Sequence, residues 1–178
     1  VVICSHLGRP KGKDDTTASL VLVAKRLAKL LDKKVEFLPD CVSGDTKDAI
    51  KNLDMGSVAL LENLRYYSEE EDNDPVFASR LAEGMDLFVQ DGFGVVHRAH
   101  ASTDAITKFL PSVAGLLVEK EMLAITEVLD NPKRPLVAII GGAKISDKID
   151  LLDRFIDIAD VVAVGGAMSN TFLLAEGV

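Results

Sequence analysis

The chain has 178 residues, 48% of them hydrophobic, and carries 20 Lys and Arg against 28 Asp and Glu, a formal charge of −8. That balance argues against nonspecific nucleic-acid binding, and no uninterrupted apolar run approaches the ~18 residues of a membrane span. The length suits one full core or parts of two. Val1 already lies inside an apolar run and the last residues stop within a helical pattern, so a piece of a longer protein is expected. Cys4 and Cys41 have neither disulfide-framework nor metal-ligand spacing, which predicts free thiols in a reduced, cytoplasmic setting.

Strands and helices alternate. Val1 to Cys4 reads as a strand, and Ser19 could cap a helix whose apolar residues Leu20, Val23, Leu27, Leu30 and Leu31 fall at spacings of three and four. Residues 35–38 and 58–61 read as strands on either side of a short helix over 45–53. Asp74 as N-cap, Pro75 in the first turn and Gly84 past the end punctuate the next helix. Leu87 to Gln90 is another strand. Beyond Pro111, Leu116, Leu117, Met122, Ile125 and Leu129 mark a long helix suited to join two domains. Residues 136–140 and 161–164 are strands, with a helix through Ile145, Ile149, Leu152, Phe155 and Ala159 between them. Strands that are apolar throughout imply a sheet covered on both faces. The expectation is an α/β fold, a doubly wound parallel sheet with right-handed crossovers, and an incomplete second α/β domain. Its limits are residues 1–112, a connecting helix at 113–131, and 132–178.

Five of the six strands end in a motif suited to an anion, where open parallel sheets bind ligands. The first runs into Ser5-His6-Leu7-Gly8-Arg9-Pro10, the third into Glu62-Asn63-Leu64-Arg65. The fourth runs into Asp91-Gly92-Phe93-Gly94-Val95-Val96-His97-Arg98-Ala99-His100. The last two run into Gly141-Gly142-Ala143-Lys144 and Gly165-Gly166-Ala167-Met168. Arg offers a planar fork for carboxylate or phosphate, and glycine lets backbone approach a ligand. Acids gather elsewhere, as in Glu69-Glu70-Glu71-Asp72. Lys144 and Lys148 open a helix against its macrodipole, a conflict that an anion at the helix N-terminus would resolve. Solvated charges and ordinary turns are the alternatives for the single motifs. A metal at His97 and His100 lacks an obvious third ligand.

Taken together, Ser5 to Pro10, Leu61 to Arg65, His97 to His100, Pro111 to Gly115, Gly141 to Lys144 with Asp147-Lys148, and Gly165 to Met168 resemble phosphoglycerate kinases in order and spacing, over essentially the whole chain. The resemblance implies a monomeric glycolytic kinase of two doubly wound domains about a helical hinge. It implies Mg2+-dependent, reversible phosphoryl transfer from 1,3-bisphosphoglycerate to ADP, giving 3-phosphoglycerate and ATP. His6, Leu7, Gly8, Arg9, Arg65 and Arg98 then map onto the phosphoglycerate site. Gly142, Ala143, Lys144, Lys148, Gly165 and Gly166 map onto the nucleotide site, with Lys144 and Lys148 catalytic. No metal ligand falls within these residues, and the family's Mg2+-binding Asp and further substrate contacts lie outside them. Where the family usually has Asn-Asp-Ala-Phe-Gly, this chain has Gln90-Asp91-Gly92-Phe93-Gly94, followed by Val95 and Val96. The extra glycine should loosen the loop and the valines add bulk.

Two other readings stay open. One is a catalytically silent, anion-binding piece of that fold. The other is a dinucleotide-dependent α/β enzyme, for which a G-x-G-x-x-G after the first strand is missing.

Overall fold

The computed structural model describes residues 1–178, except for the side chain of Asp147. It divides into two compact units, Val1–Glu119 and Lys120–Val178.

The first unit opens with β1 (Val2–Ile3), followed by α1 (Val21–Leu31), β2 (Val35–Leu38), α2 (Gly44–Lys51) and β3 (Val58–Leu61). The three strands form one parallel sheet in the order β1-β3-β2, with Val2 beside Ala59 and Val35 beside Val58. A strand placed between two that precede it requires crossovers, and α1 and α2 supply them. Leu60 and Ala59 point to opposite faces of β3. Leu60 packs with Leu20 and Ala24 on one side, and Ala59 with the larger cluster of Leu64, Phe77, Ala78 and Ile106 on the other. Both faces of the central strand are therefore covered, as an apolar strand requires. Ser19 lies one residue before the N-cap position, which Leu20 occupies, and its hydroxyl accepts from the Val21 amide at 3.3 Å.

After β3 come α3 (Ser68–Glu71) and α4 (Pro75–Ala82). Asp74 caps α4, accepting from the Phe77 amide at 2.7 Å, and Pro75 fills the first turn where no amide is needed. Then β4 (Phe88–Gln90) pairs in parallel with β5 (Ser112–Ala114), a strand the sequence pattern does not announce. The strands are all parallel, but they form separate ladders, and β4 belongs to a different one from β1 and β3. Within the first unit, the motifs after β1 and β3 and the motif after β4 therefore leave two ladders, where one parallel sheet under them was expected. Between β4 and β5, Gly92 is not left loose. Its amide donates to Gln90 Oε1 at 2.9 Å, and Phe93–Val95 form a turn of 3₁₀ helix.

The helix α5 (Leu116–Asp130) crosses the division between the units. Asp91 caps its start, its Oδ1 accepting from the amides of Leu117 at 2.7 Å and Val118 at 3.2 Å. In the second unit, β6 (Val137–Gly141), α6 (Ile149–Ile158), β7 (Val161–Gly165) and α7 (Ala167–Ala175) form a parallel β-α-β unit with a trailing helix. Ile140, Leu152 and Met168 form its core. Ile139, beside Ile140, is 81% exposed, so the expectation of a strand covered on both faces is not met on β6. Among the described residues, no helix is long and apolar enough to cross a membrane.

Candidate functional site: a cation cluster and a glycine-lysine turn

β1 and β3 lie side by side, so the loops leaving them are neighbours. Gly8 takes φ +61°, a left-handed conformation that glycine adopts without a Cβ clash, and this turns its carbonyl toward Arg65. Arg65 Nη1 donates to that carbonyl at 2.9 Å. Asn63, fully buried, binds the same loop. Its Oδ1 accepts from the amides of Leu7 at 3.3 Å and Arg65 at 3.0 Å, while its Nδ2 donates to the carbonyls of Leu7 at 2.8 Å and Ala18 at 2.9 Å. An amide side chain has two donors and two acceptor lone pairs, and all are used here. Glu62 adds a second tie: Oε1 accepts from the Leu20 and Asn63 amides, and Oε2 from the Ser19 hydroxyl at 2.7 Å. Sequence reasoning singles out Arg65 from this motif but misses the two residues that build the loop around it.

His6 is the electrostatic centre. Burial lowers its pKa first, and the positive charges of Arg65, His100 and Arg98 lower it further, against an opposing pull from Glu71. Arg65 and Arg98, on loops that leave different sheets, thus both act on His6. Arg98 is exposed, and its carbonyl accepts from Thr103 Oγ1 at 2.5 Å. Arg9 and Leu7 are exposed on the loop that bears His6. Arg65 and Arg98 both act on His6, and Arg9 lies exposed three residues along the same loop.

The acidic run is not remote from the cations, which corrects the expected segregation of charge. Glu71 Oε1 lies 3.2 Å from Arg65 Nε, although that buried N–H is aimed at no acceptor. Glu70 is buried, its carboxylate accepting from the Ser102 amide at 3.0 Å and hydroxyl at 2.5 Å, with His100 Nδ1 at 3.8 Å. Burial raises the Glu70 pKa, opposed by the bonds from Ser102. Two carboxylates therefore sit among these cations, exposed Glu71 beside Arg65 and buried Glu70 beside His100.

In the second unit the two glycine pairs abut. Gly141 is in register with Gly165, and Gly166 takes φ +71°. A Cβ on Gly166 would meet the Gly142 backbone at 3.2 Å, so this approach tolerates no side chain. The Met168 amide donates to the Gly142 carbonyl at 2.9 Å, fixing the start of α7 against the turn. Lys148 occupies the N-cap position of α6 without making a capping bond, and its chain runs past Gly142, where an added Cβ would sit 3.0 Å from Cε. Lys144 and Ala143 are exposed. The turn therefore places the Lys148 chain beside the Gly142 backbone at the start of α6, with Lys144 exposed four residues earlier, which is chemistry suited to phosphates. Asp147, named with Lys148 in the motif, has its side chain outside the described residues.

The chain matches the family described as phosphoglycerate kinase over residues 1–178. It is 55% identical over 177 residues to the phosphoglycerate kinase of Desulforudis audaxviator, covering 99% of this chain and 45% of that one. It is 49% identical to that of Gloeothece citriformis, covering 99% and 44%. Among solved structures it resembles phosphoglycerate kinase from Coxiella burnetii, with a TM-score of 0.80 at 40% identity over 99% of this chain and 44% of that one. The enzyme from Pyrococcus horikoshii gives 0.81 at 33% identity, covering 100% and 46%. The chain thus spans a little under half the length of the curated relatives it matches.

Proposed function

Because this chain belongs to the phosphoglycerate kinase family, we propose that the whole protein, a cytoplasmic monomer, moves a phosphoryl group between 1,3-bisphosphoglycerate and ADP, reversibly giving 3-phosphoglycerate and ATP. Residues 1–112 hold the phosphoglycerate, residues 132–178 begin the nucleotide-binding domain, and the helix within 113–131 is the hinge. The observation that carries this reading is the bond of Arg65 to the Gly8 carbonyl at 2.9 Å, on the loop that bears His6 and Arg9, with the charges of Arg65 and Arg98 both acting on His6.

The chemistry asks for little else. In the forward direction the P–O bond of the acyl phosphate breaks, a β-phosphate oxygen of ADP bonds to the phosphorus, and the released carboxylate keeps the electron pair. No proton has to be taken from the nucleophile, so no general base is needed. Alignment and positive charge around the transferring group suffice. His6, Leu7, Gly8, Arg9, Arg65 and Arg98 orient the three-carbon acid. Gly142, Ala143, Gly165 and Gly166 bring backbone to the nucleotide, and Lys144 and Lys148 meet its phosphates and the group in transit. Mg2+ accompanies the nucleotide and neutralises phosphate charge when bound. Among the described residues no group of three His, Cys, Asp or Glu side chains gathers to hold such an ion; cations and amides are what Lys144, Lys148 and the glycine turn supply to the phosphates.

The test is a titration of the chain with 3-phosphoglycerate, followed by amide resonances. Saturable shifts at Gly8, Arg65 and Arg98 are expected, and inorganic sulfate at equal ionic strength should reproduce only part of them. Identical responses to both would reduce the site to a general anion patch.

A further inference from the structure

Three consecutive residues after β3 each take hold of a different point on the loop that carries Arg9. Arg65 binds the Gly8 carbonyl at 2.9 Å. The Tyr66 hydroxyl donates to the Asp15 carbonyl at 2.5 Å. The Tyr67 ring lies under the Lys13 ammonium, 4.2 Å from its centroid. Lys13 is fixed from a second side by Asp40, at 2.9 Å from Oδ2. Asp40 is itself held, its Oδ1 accepting from the amides of Val42 at 2.9 Å and Ser43 at 2.7 Å. Tyr67 is anchored too, with its ring centroid 5.0 Å from that of Phe77 and its hydroxyl accepting from the Cys41 amide at 3.2 Å.

Residues 9–14 belong to no helix or strand, and Arg9, Lys11, Lys13 and Asp14 are exposed. Such a segment has no apolar face with which to order itself, so its conformation depends on these polar tethers. An untethered Arg9 would sample many positions and lose that freedom on meeting an anion, which weakens binding.

We propose that Tyr66 and Tyr67 are positioning residues for Arg9: they strap the loop over residues 9–15 to the end of β3 so that its guanidinium is ordered before the phosphoglycerate arrives. The inference rests on the phosphoglycerate reading for its ligand and on the structure alone for the strap. Both tyrosines act through the loop, because their partners are a backbone carbonyl and a lysine already paired with Asp40.

The experiment measures 3-phosphoglycerate affinity and the hydrogen exchange of the Arg9 amide in the chain and its variants. Tyr67→Leu removes the ring face, and should weaken binding about fivefold and speed Arg9 exchange. Tyr67→Phe keeps the face over Lys13 and should stay within about twofold of the parent. Tyr66→Phe deletes one hydroxyl and should cost about threefold. In an Arg9→Ala background Tyr67→Leu should have no further effect on affinity, since a strap without its cargo has nothing to position. Undiminished loss in that background, or parent-like affinity in both Tyr67→Leu and Tyr66→Phe, overturns the proposal. Should Tyr67→Leu fail to fold, Tyr66→Phe with Arg9→Ala carries the same cycle. If the parent chain binds no 3-phosphoglycerate, the phosphoglycerate reading fails instead. The strap is then judged on Arg9 exchange, which must rise in Tyr66→Phe, and unchanged exchange overturns it.

Discussion

His6 is where the charge of the first site can be read directly. Its folded-state pKa lies below the ordinary 6.5, so between the two values the folded chain binds fewer protons there than the unfolded chain. The stability contributed by a neutral His6 is therefore fully present above about 6.5 and is lost as pH falls through the folded value. A bound phosphoglycerate adds negative charge and opposes that lowering. The imidazole resonance of His6 should titrate below 6.5 in the free chain, and its midpoint should move up at saturation. A midpoint that does not move with ligand would place the anion elsewhere. Lys148 makes the corresponding prediction for the other site. In the whole protein, Lys148→Ala should lower kcat roughly a hundredfold while changing nucleotide affinity little, because a lysine aimed at a group in transit stabilises the transition state selectively. Turnover within twofold of the parent would leave Lys148 as a surface charge beside Gly142. The cations of both candidate sites could be named from the sequence because several strand-end motifs carry them together, although each motif alone reads equally as a turn with a solvated charge. Glu62, Asn63 and Glu70 were not, since a buried, fully bonded polar side chain and a solvated one are written with the same letter.

At the scale of elements, the joint between Asp91 and α5 is the most constrained. The Asp91 carboxylate caps the helix, and a Cβ on Gly115 would overlap that carboxylate. Gly115→Ala must push Asp91 off the Leu117 and Val118 amides, so it should destabilise the first unit by about 1–2 kcal/mol, comparable to loss of a helix cap. Asp91→Ala should cost a similar amount, and the double variant should cost no more than either alone, because both act on one contact. Urea denaturation of the four chains checks this; additive losses would mean that glycine is needed there for another reason. Most helices and strands could be read from spacing, with α4 the clearest because Asp74 and Pro75 both serve its first turn, whereas the four-residue α3 was not read and α6 begins at Ile149, not at Ile145. β5 could not. It is three residues long, follows Pro111 and exposes every position, so it carries no alternating or buried pattern. The 3₁₀ turns at 64–66 and 93–95 escaped for a related reason: they are too short to show a period, and Asn63 and Gly92 start them through local bonds.

Across the whole molecule, the two units differ in how completely they cover their apolar surface. In the first, β3 is packed on both faces. In the second, an open apolar groove of about 390 Å³ is lined by residues that include Ile149, Ile156, Val164 and Phe172. The neighbours Ile139 and Ile140 turn this into a measurement. Ile140 is 7% exposed and Ile139 81%. Ile140→Ala should destabilise the second unit by about 2–4 kcal/mol, and Ile139→Ala by less than about 0.5 kcal/mol. Thermal unfolding of the two variants of this chain should separate them clearly; equal losses would mean that the outer face of β6 is packed. Uniformly apolar strands implied two covered faces, and the fold class followed correctly from that. Which face a given isoleucine serves depends on what the sheet packs against, and spacing along one strand carries no trace of it.

Asn63 meets Leu7 across 56 positions of sequence. During synthesis the loop of His6 leaves the ribosome well before the side chain that shapes it. At about 5–20 residues per second, that interval is roughly 3–11 seconds. Through it Leu7 lacks the Asn63 side chain that holds its amide and carbonyl in the fold. The candidate site is therefore assembled in chain order: the loop of His6 first, Asn63 with Arg65 next, and Arg98 last.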